Sequence, residues 1–435
     1  MERFALSRMK EWKENENRKP LIIRGARQVG KTWIMKTFGQ QYFEKTAYVN
    51  FDNNARMKQV FEGDLDIERL VLAISAETGV SIEAENTLII FDEIQEVPKA
   101  LTSLKYFHEN APQYAIVAAG SLLGVALHQG TSFPVGKVDF LDLYPLNFRE
   151  FLCAMGEKQF VSMLDSCDTQ MVTVFKTKYI ERLREYYFVG GMPEVVKEFS
   201  EKKDYNRVRA IQKNLINYYQ QDFSKHAEIK LVPRLNLVWN SIPMQLAKEN
   251  KKYIYGQVRE GSRAKDFELA IQWLLDCGLI HKVQRIQKPD LPLKAYIDFD
   301  AFKLFLVDIG LLIAMTDLDA KVIIEGNKIF TEFNGSLTEQ YILQQLISDV
   351  GVIPYYYSTQ NSKGEIDFLV QGKTSVIPIE VKAEENLKAK SLKAFCEKHQ
   401  PSYAVRTSMS DYREQDWMTN IPLYAIKWIE NYVNQ

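Results

Sequence analysis

Gly25-Ala26-Arg27-Gln28-Val29-Gly30-Lys31-Thr32 is a loop bracketed by glycines and closed by a lysine and a hydroxyl. The spacing GxxxxGK[ST] lets successive backbone N–H groups wrap an anion, while the N-terminus of a following helix adds partial positive charge. On this reading Lys31 neutralises β- and γ-phosphate oxygens, Thr32 holds Mg²⁺, and the stretch from Gly25 through Trp33 cradles the nucleotide. The apolar run Leu21 to Ile23 before the loop supplies the strand such a turn needs. No base-reading motif of the kind expected for GTP is evident, so ATP is the expected nucleotide.

Acids complete that chemistry. Thr87-Leu88-Ile89-Ile90-Phe91-Asp92-Glu93 is an apolar strand ending in two carboxylates, which is how a buried strand delivers charge to the edge where ligands bind. Asp92 is expected to position Mg²⁺, and Glu93 to orient or deprotonate the attacking water. A neighbouring strand, Ala115 to Ala119, leads to Gly120-Ser121, and Ser121 is placed to sense the γ-phosphate or to cap the next helix.

A second constellation lies near the other end. Glu339 falls on the helical stretch SLTEQYILQQL, Asp367 opens the strand IDFLV, and Glu380 and Lys382 lie on the strand VIPIEVKA. Residues two apart on a strand share a face, so Glu380 and Lys382 point the same way. Helix-Glu, strand-Asp, strand-ExK is similar to the PD-(D/E)xK nuclease core. There Asp367, Glu380 and Glu339 would hold divalent metal through hard oxygen ligands, and Lys382 would stabilise developing charge. A strand-edge salt bridge is the plainer reading, and such domains also serve only for binding.

Elements must position these groups. Over the first 150 residues LIIRG, TAYVNF, TLIIFDE, YAIVAAGS and KVDFLDLYPL alternate with helical stretches, the rhythm of a parallel sheet covered on both faces. From about 148 to 230 the strand signal disappears and the chain reads as helical and aromatic, broken at Gly190-Gly191-Met192-Pro193. AKDFELAIQWLLDCGLI places Phe267, Ala270, Ile271, Leu274 and Leu275 at helical spacing, with Gly278 ending the helix and HKVQRI and AYIDF following as a hairpin. That order predicts a winged helix, with Arg259, Arg263 and Lys265 near DNA phosphates or, alternatively, a packing module that relays nucleotide state. FKLFLVDIGLLIAM is expected to be helical, with a second helix from Ser336 and strands at PYYYS, IDFLV and VIPIEVKA.

Composition limits the alternatives. Hydrophobic residues at 46% and charged residues at 26% are the balance of a folded chain. No apolar run reaches bilayer length and the N-terminus is charged, so a cytoplasmic protein with no membrane partner is expected. Cys153, Cys167, Cys277 and Cys396 are far apart, which suggests neither zinc nor a disulfide framework. The net charge of -1 hides fourteen Lys/Arg against six Asp/Glu over residues 201–265, a local basic surface or a solvated helical face.

The wording of GARQVGKTW (25–33), IIFDEIQ (89–95), GS (120–121), YPLNFREF (144–151), GGMPEVV (190–196), DFSKH (222–226) and KLFLVDIGLL (303–312) resembles prokaryotic AAA-type ATPases fused to a C-terminal domain of unknown function. The resemblance implies an α/β chain: an AAA-like P-loop ATPase domain at 1–155, a helical lid at 156–234, a winged helix at 235–300 and a restriction-endonuclease-like domain at 301–435. Where relatives carry Gly-Arg before YPLNF, this chain has Gly136-Lys137, so Arg24, Arg27 and Arg149 stand as alternative arginine fingers. The function implied is Mg²⁺-dependent ATP hydrolysis coupled to a nuclease-like domain acting on DNA, with a homo-oligomer left open. The alternatives are a nucleotide-gated switch whose C-terminal domain cuts nothing, and a regulatory or defence component whose target is protein.

Overall fold

Five apolar runs pair in parallel in the order β2-β3-β4-β1-β5, with β1 at Leu21–Arg24, β2 at Lys45–Asn50, β3 at Thr87–Asp92, β4 at Ala115–Ala119 and β5 at Asp139–Asp142. The structure, a computed structural model, describes residues 1–120, 124, 133–248, 251–324, 331–359, 364–383 and 389–435. They form two compact units, Glu2–Tyr144 with Asp276–Leu279, and Pro145–Leu275 with Ile280–Gln435.

In the first unit alternate strand residues feed one core. Ile22, Ala47, Val49, Ile89, Phe91, Ile116 and Ala118 pack with Met57, Phe61, Leu70, Ile74, Leu104 and Phe107 from helices Ala55–Glu62, Ile67–Thr78 and Pro98–Asn110. The intervening positions Leu88, Ile90 and Val117 are buried as well, so the sheet is covered on both faces. Each such fully buried side chain contributes about 1.5–3 kcal/mol, enough to fix strand ends to the precision a site needs. Register sets that precision: Asn50 pairs with Asp92, which puts the acidic end of β3 beside the end of β2.

The second unit is helical from Phe148 to Leu246 and then adds an eight-stranded mixed sheet ordered β12-β13-β11-β10-β9-β8-β6-β7. Its strands are β6 (Ile280–Ile286), β7 (Ile297–Leu306), β8 (Tyr355–Ser358), β9 (Glu365–Gln371), β10 (Val376–Val381), β11 (Val405–Ser408), β12 (Arg413–Gln415) and β13 (Met418–Pro422). Tyr355, Tyr357, Leu369 and Val376 pack with Leu392 and Phe395 of helix Lys390–His399. Helix Thr331–Gln345 is buried on every side from Ser336 onward, a sign of a central element rather than a surface one.

Its buried polar residues explain why so hydrophilic a sequence can sit there. Gln340 accepts from Leu306 N at 3.0 Å and donates to Leu306 O at 2.7 Å, Gln344 accepts from Ile309 N at 3.1 Å, and Gln345 accepts from Phe148 N at 2.8 Å. Each amide thus satisfies backbone that would otherwise be buried unpaired.

The expected hairpin forms, β6 antiparallel to β7, and it extends the eight-stranded sheet through a parallel pairing of Arg285 with Tyr356. The expectation of a helix over Phe302 to Leu306 fails: these residues finish β7, and the helix begins only at Ile309 after Asp308 caps Leu311 N. An unbroken apolar run carries no period that separates a buried strand from a buried helix, and the N-cap aspartate decides where the helix starts.

Candidate functional site

Backbone geometry at the loop departs from ordinary conformations where wrapping requires it. Gly25 has φ +143°, and a Cβ there would lie 2.1 Å from Leu143 O, so no other residue fits. Gln28 and Gly30 are both left-handed, at φ 65° and 95°, the alternation that turns consecutive N–H groups towards one point. Helix Lys31–Tyr42 starts at this point. Lys31 is 7% exposed and its Nζ donates to Gly25 O at 2.9 Å and Ala26 O at 2.7 Å. Burial lowers its pKa to about 8, although the charges of Glu93 and Asp92 pull the other way. Trp33, next in the helix, is 44% exposed.

The loop and the acidic strand meet. Thr32 Oγ1 donates to Asp92 Oδ2 at 2.7 Å, and Tyr48 from β2 donates to the same oxygen at 2.9 Å. Asp92 Oδ1 accepts from Glu93 N at 3.1 Å. Burial, then the Asp92 charge, pushes the Tyr48 hydroxyl up, which keeps it a donor. Glu93 is held left-handed at φ 51°, a costly conformation for a side chain with a Cβ, and its Oε2 accepts from Gln95 Nε2 at 2.7 Å. Hydroxyl and carboxylate oxygens in contact are a hard donor pair of the kind Mg²⁺ takes, so these residues fit that ion. Tyr48 and Gln95 escaped the sequence reading: Gln95 closes the word IIFDEIQ without a role assigned to it, and only strand pairing brings Tyr48 to Asp92. Ser121 lies outside the described residues.

The candidate arginines Arg24 and Arg149 are committed to carboxylates. Arg24 makes a forked pair with Asp142 at 2.8 and 3.0 Å and covers the Phe140 ring at 4.3 Å. Arg149 bonds Asp349 at 2.8 Å and pairs with Asp165. Lys137, standing where an arginine was expected, pairs with Glu109 at 3.0 Å. Arg27 lies in the loop itself, and it too has a partner.

The C-terminal acids also gather. Glu339 and Glu380 are each 5% exposed, and Asp367 lies close enough to both that their charges, after burial, raise its pKa well above the usual carboxylate range. Asp367 Oδ2 accepts from Val381 N at 2.7 Å, and Lys382 Nζ donates to Glu380 Oε1 at 2.6 Å. Lysines that the sequence reading missed join them. Lys251 pairs with Glu339, and fully buried Lys303 on β7 lies 2.5 Å from Glu365 Oε1 and 3.6 Å from Glu339 Oε2. Burial pushes Glu339 up, but Lys251 and Lys303 together outweigh it and leave its pKa below the usual value. Among the described residues no three His, Cys, Asp or Glu side chains stand as a group that could hold a metal ion. The carboxylates are instead turned to lysines and to backbone.

Arg259, Arg263 and Lys265 are exposed at and before the start of helix Ala264–Asp276. No described helix is long and apolar enough to cross a membrane.

Residues 17–152 match the model of the AAA domain, residues 180–322 match a domain of unknown function (DUF8612), and residues 334–426 match another (DUF4143). No curated protein matches. Among solved structures, the chain is similar to the Walker-type ATPase paby2304 of Pyrococcus abyssi at 15% identity, over 72% of this chain and 95% of that one, with a TM-score of 0.44. It is also similar to the Aeropyrum pernix Orc1 protein in complex with DNA, at 14% identity over 72% and 91% with a TM-score of 0.27. The Thermotoga maritima RuvB Holliday junction branch migration motor matches at 12% identity over 64% and 87%, with a TM-score of 0.28. These structural likenesses are too distant to carry function. The AAA-domain match and the loop geometry agree, and the first unit is a P-loop, AAA-like ATPase domain.

Proposed function

We propose that the first unit binds ATP with Mg²⁺ and hydrolyses it, and that the second unit couples this cycle to action on DNA through a nuclease-like C-terminal region. The contact between Thr32 Oγ1 and Asp92 Oδ2 at 2.7 Å carries the reading, because it joins the phosphate loop to the acidic strand at the place where the two must cooperate. Bound Mg²⁺ would supply charge neutralisation between phosphate oxygens, held by Thr32 and Asp92. Lys31 exchanges the loop carbonyls Gly25 O and Ala26 O for phosphate oxygens, and the backbone N–H groups of the loop orient the triphosphate. Glu93 positions the attacking water and accepts its proton, once Gln95 yields its hold on Oε2. Ser121 serves as the γ-phosphate sensor.

DNA enters this reading through the exposed Arg259, Arg263 and Lys265 ahead of a helix and hairpin in winged-helix order. Glu339, Asp367 and Glu380 would hold the divalent metal of the nuclease-like region, with Lys382 beside the reacting phosphate. The test is ATP turnover by the full chain with and without DNA, alongside Lys31→Ala. Turnover that rises with DNA and vanishes in the variant supports the coupling, and turnover indifferent to every nucleic acid removes it.

One observation favours a second reading, a nucleotide-gated switch whose C-terminal region binds without cutting. The acids there are engaged with Lys251, Lys303, Lys382 and Val381 N rather than arranged around a metal. Metal-dependent nicking by the wild type, lost in Asp367→Ala and in Glu380→Ala, would decide against the switch. Nicking that persists in both variants would remove the nuclease assignment.

A further inference from the structure

Glu93 leaves β3 in a left-handed conformation, φ 51°, and Ile94–Glu96 follow as a single 3₁₀ turn. Ile94 is fully buried, Glu96 N donates to Glu93 O at 3.1 Å, and Val97 N donates to Ile94 O at 3.1 Å, so the turn is anchored in the core and along its backbone. The chain is thereby folded back, and the Gln95 side chain meets the carboxylate two residues before it. A residue with a Cβ stays left-handed only where its surroundings over-determine it, and such residues gather at working sites.

The Gln95 amide is half used. Its Nε2 donates to Glu93 Oε2 at 2.7 Å, and since a carboxylate accepts, this contact fixes which end of the amide faces it. The other end, Oε1, is shielded from solvent and meets no donor among the described residues. A buried acceptor without a donor is costly, so the amide is poised to take one. The neighbouring acid is already served: Asp92 Oδ2 accepts from Thr32 and Tyr48, and its Oδ1 accepts from Glu93 N. A spare acceptor beside Glu93 is what a water molecule, with two O–H groups to place, can satisfy.

We infer that Gln95 is a second catalytic residue, which holds the attacking water jointly with Glu93. This rests on the proposed reading of Glu93 as the base. The water donates one O–H to Glu93 Oε2, replacing the Gln95 Nε2 contact there, and the other to Gln95 Oε1. With both hydrogens fixed, the lone pairs of the water oxygen are left to face the γ-phosphate. As that oxygen bonds the γ-phosphorus, the first proton passes to Glu93, and the bond from phosphorus to the β–γ bridging oxygen breaks with its electron pair leaving on ADP. The second hydrogen stays on the oxygen in the inorganic phosphate formed.

ATP turnover by the full chain tests this through Gln95→Leu, Glu93→Gln and the two combined. Gln95→Leu is expected to bind ATP as wild type does by calorimetry, with KM unchanged and kcat lower by about tenfold to a hundredfold. In the Glu93→Gln background, already slow, adding Gln95→Leu should lower kcat by no more than about threefold further, because two groups on one water act as a unit. A kcat for Gln95→Leu at or above that of wild type means that Gln95 only restrains Glu93, and overturns the inference. So does an equal loss in both backgrounds, the mark of a group that acts elsewhere, or a rise in KM alone. Each of these leaves the reading of Glu93 standing if Glu93→Gln is slow, whereas a Glu93→Gln protein that turns over at the wild-type rate takes both down. Thermal melting confirms that Gln95→Leu is folded, and Gln95→Met, of similar length without either polar atom, supplies the same measurement should it misfold.

Discussion

Arg3 Nη1 donates to Val29 O at 2.9 Å, so a residue near the start of the chain holds the carbonyl that precedes the last glycine of the phosphate loop. Its other nitrogen, Nη2, donates to Tyr144 O at 2.6 Å, and the side chain is only 5% exposed. A guanidinium bridging two carbonyls fixes both at once. The loop is thereby held from outside as well as from its own glycines.

Arg3→Ala is therefore expected to leave the buried Val29 carbonyl and the part-buried Tyr144 carbonyl without this donor, costing about 1–3 kcal/mol of local order. Since Arg3 bonds the loop through Val29 O, KM for ATP should rise with kcat nearly unchanged. Steady-state ATP turnover separates the two, and a fall in kcat at constant KM would contradict the assignment.

Lys31→Ala removes the ammonium proposed to take the phosphates, and Glu93→Gln removes the proposed base while keeping its shape. The first is expected to abolish detectable ATP binding. The second should bind ATP near wild-type strength and turn over about 10²–10⁴-fold more slowly. Fluorescence of the half-exposed Trp33 reports binding in both.

The lowered pKa of Lys31, about 8, gives nucleotide binding a pH signature. Phosphate oxygens favour the protonated amine, so binding requires proton uptake above pH 8 and none well below it. Affinity should be flat near pH 7 and weaken above pH 8, approaching tenfold per unit. Lys31→Arg stays charged throughout and should lose this dependence, as calorimetry across the range would show.

Asp308 supplies a second pH signature, this time in stability. Burial raises its pKa from 3.8 to about 6, against the hydrogen bonds it accepts from Gly191 N and Leu311 N. The folded state then holds the proton more tightly than the unfolded chain, so stability is greatest below pH 4 for this group and is lost as pH rises through 6. The size is about 3 kcal/mol. Denaturant unfolding of Asp308→Asn between pH 4 and 6 should show a shallower decline than wild type.

Gly191→Ala tests the same region sterically. A Cβ at that position would meet Leu146 O at 2.1 Å, and the neighbouring Gly190 would meet Asp308 Oδ1 at 2.2 Å. Backbone on the other side cannot yield as a side chain can, so the variant should lose at least about 1–3 kcal/mol. A thermal midpoint equal to wild type would contradict this.

Local signals made the loop and the acidic strand legible. Gly25 to Thr32 is one continuous turn, and Leu88 to Asp92 is one buried strand, so each motif declares its own geometry. Tyr48, Arg3, Lys251 and Lys303 were not legible, because each acts on a residue far away in sequence and none belongs to a pattern. The motifs GGMPEVV, YPLNF and DIGLL were conspicuous as words, but their role was hidden. Gly191 N donates to Asp308 Oδ2 at 2.6 Å across 117 residues, and Leu146 N donates to Gly191 O at 2.7 Å. Only the folded chain shows that the three words form one knot. Phe302 to Leu306 misled for the opposite reason, since apolar residues in succession suit either kind of buried element.

Helix Thr331–Gln345 lends its amides to backbone at Phe148, Leu306 and Ile309, the farthest of them 197 residues from the amide that meets it. Such a spine makes its surroundings mutually dependent, for cutting it away would strip partners from the helix that starts at Phe148 and from the sheet together. The regions 180–322 and 334–426 therefore cannot be exchanged between relatives as separate cassettes. They should melt in one step, and a graft of either alone should yield aggregates.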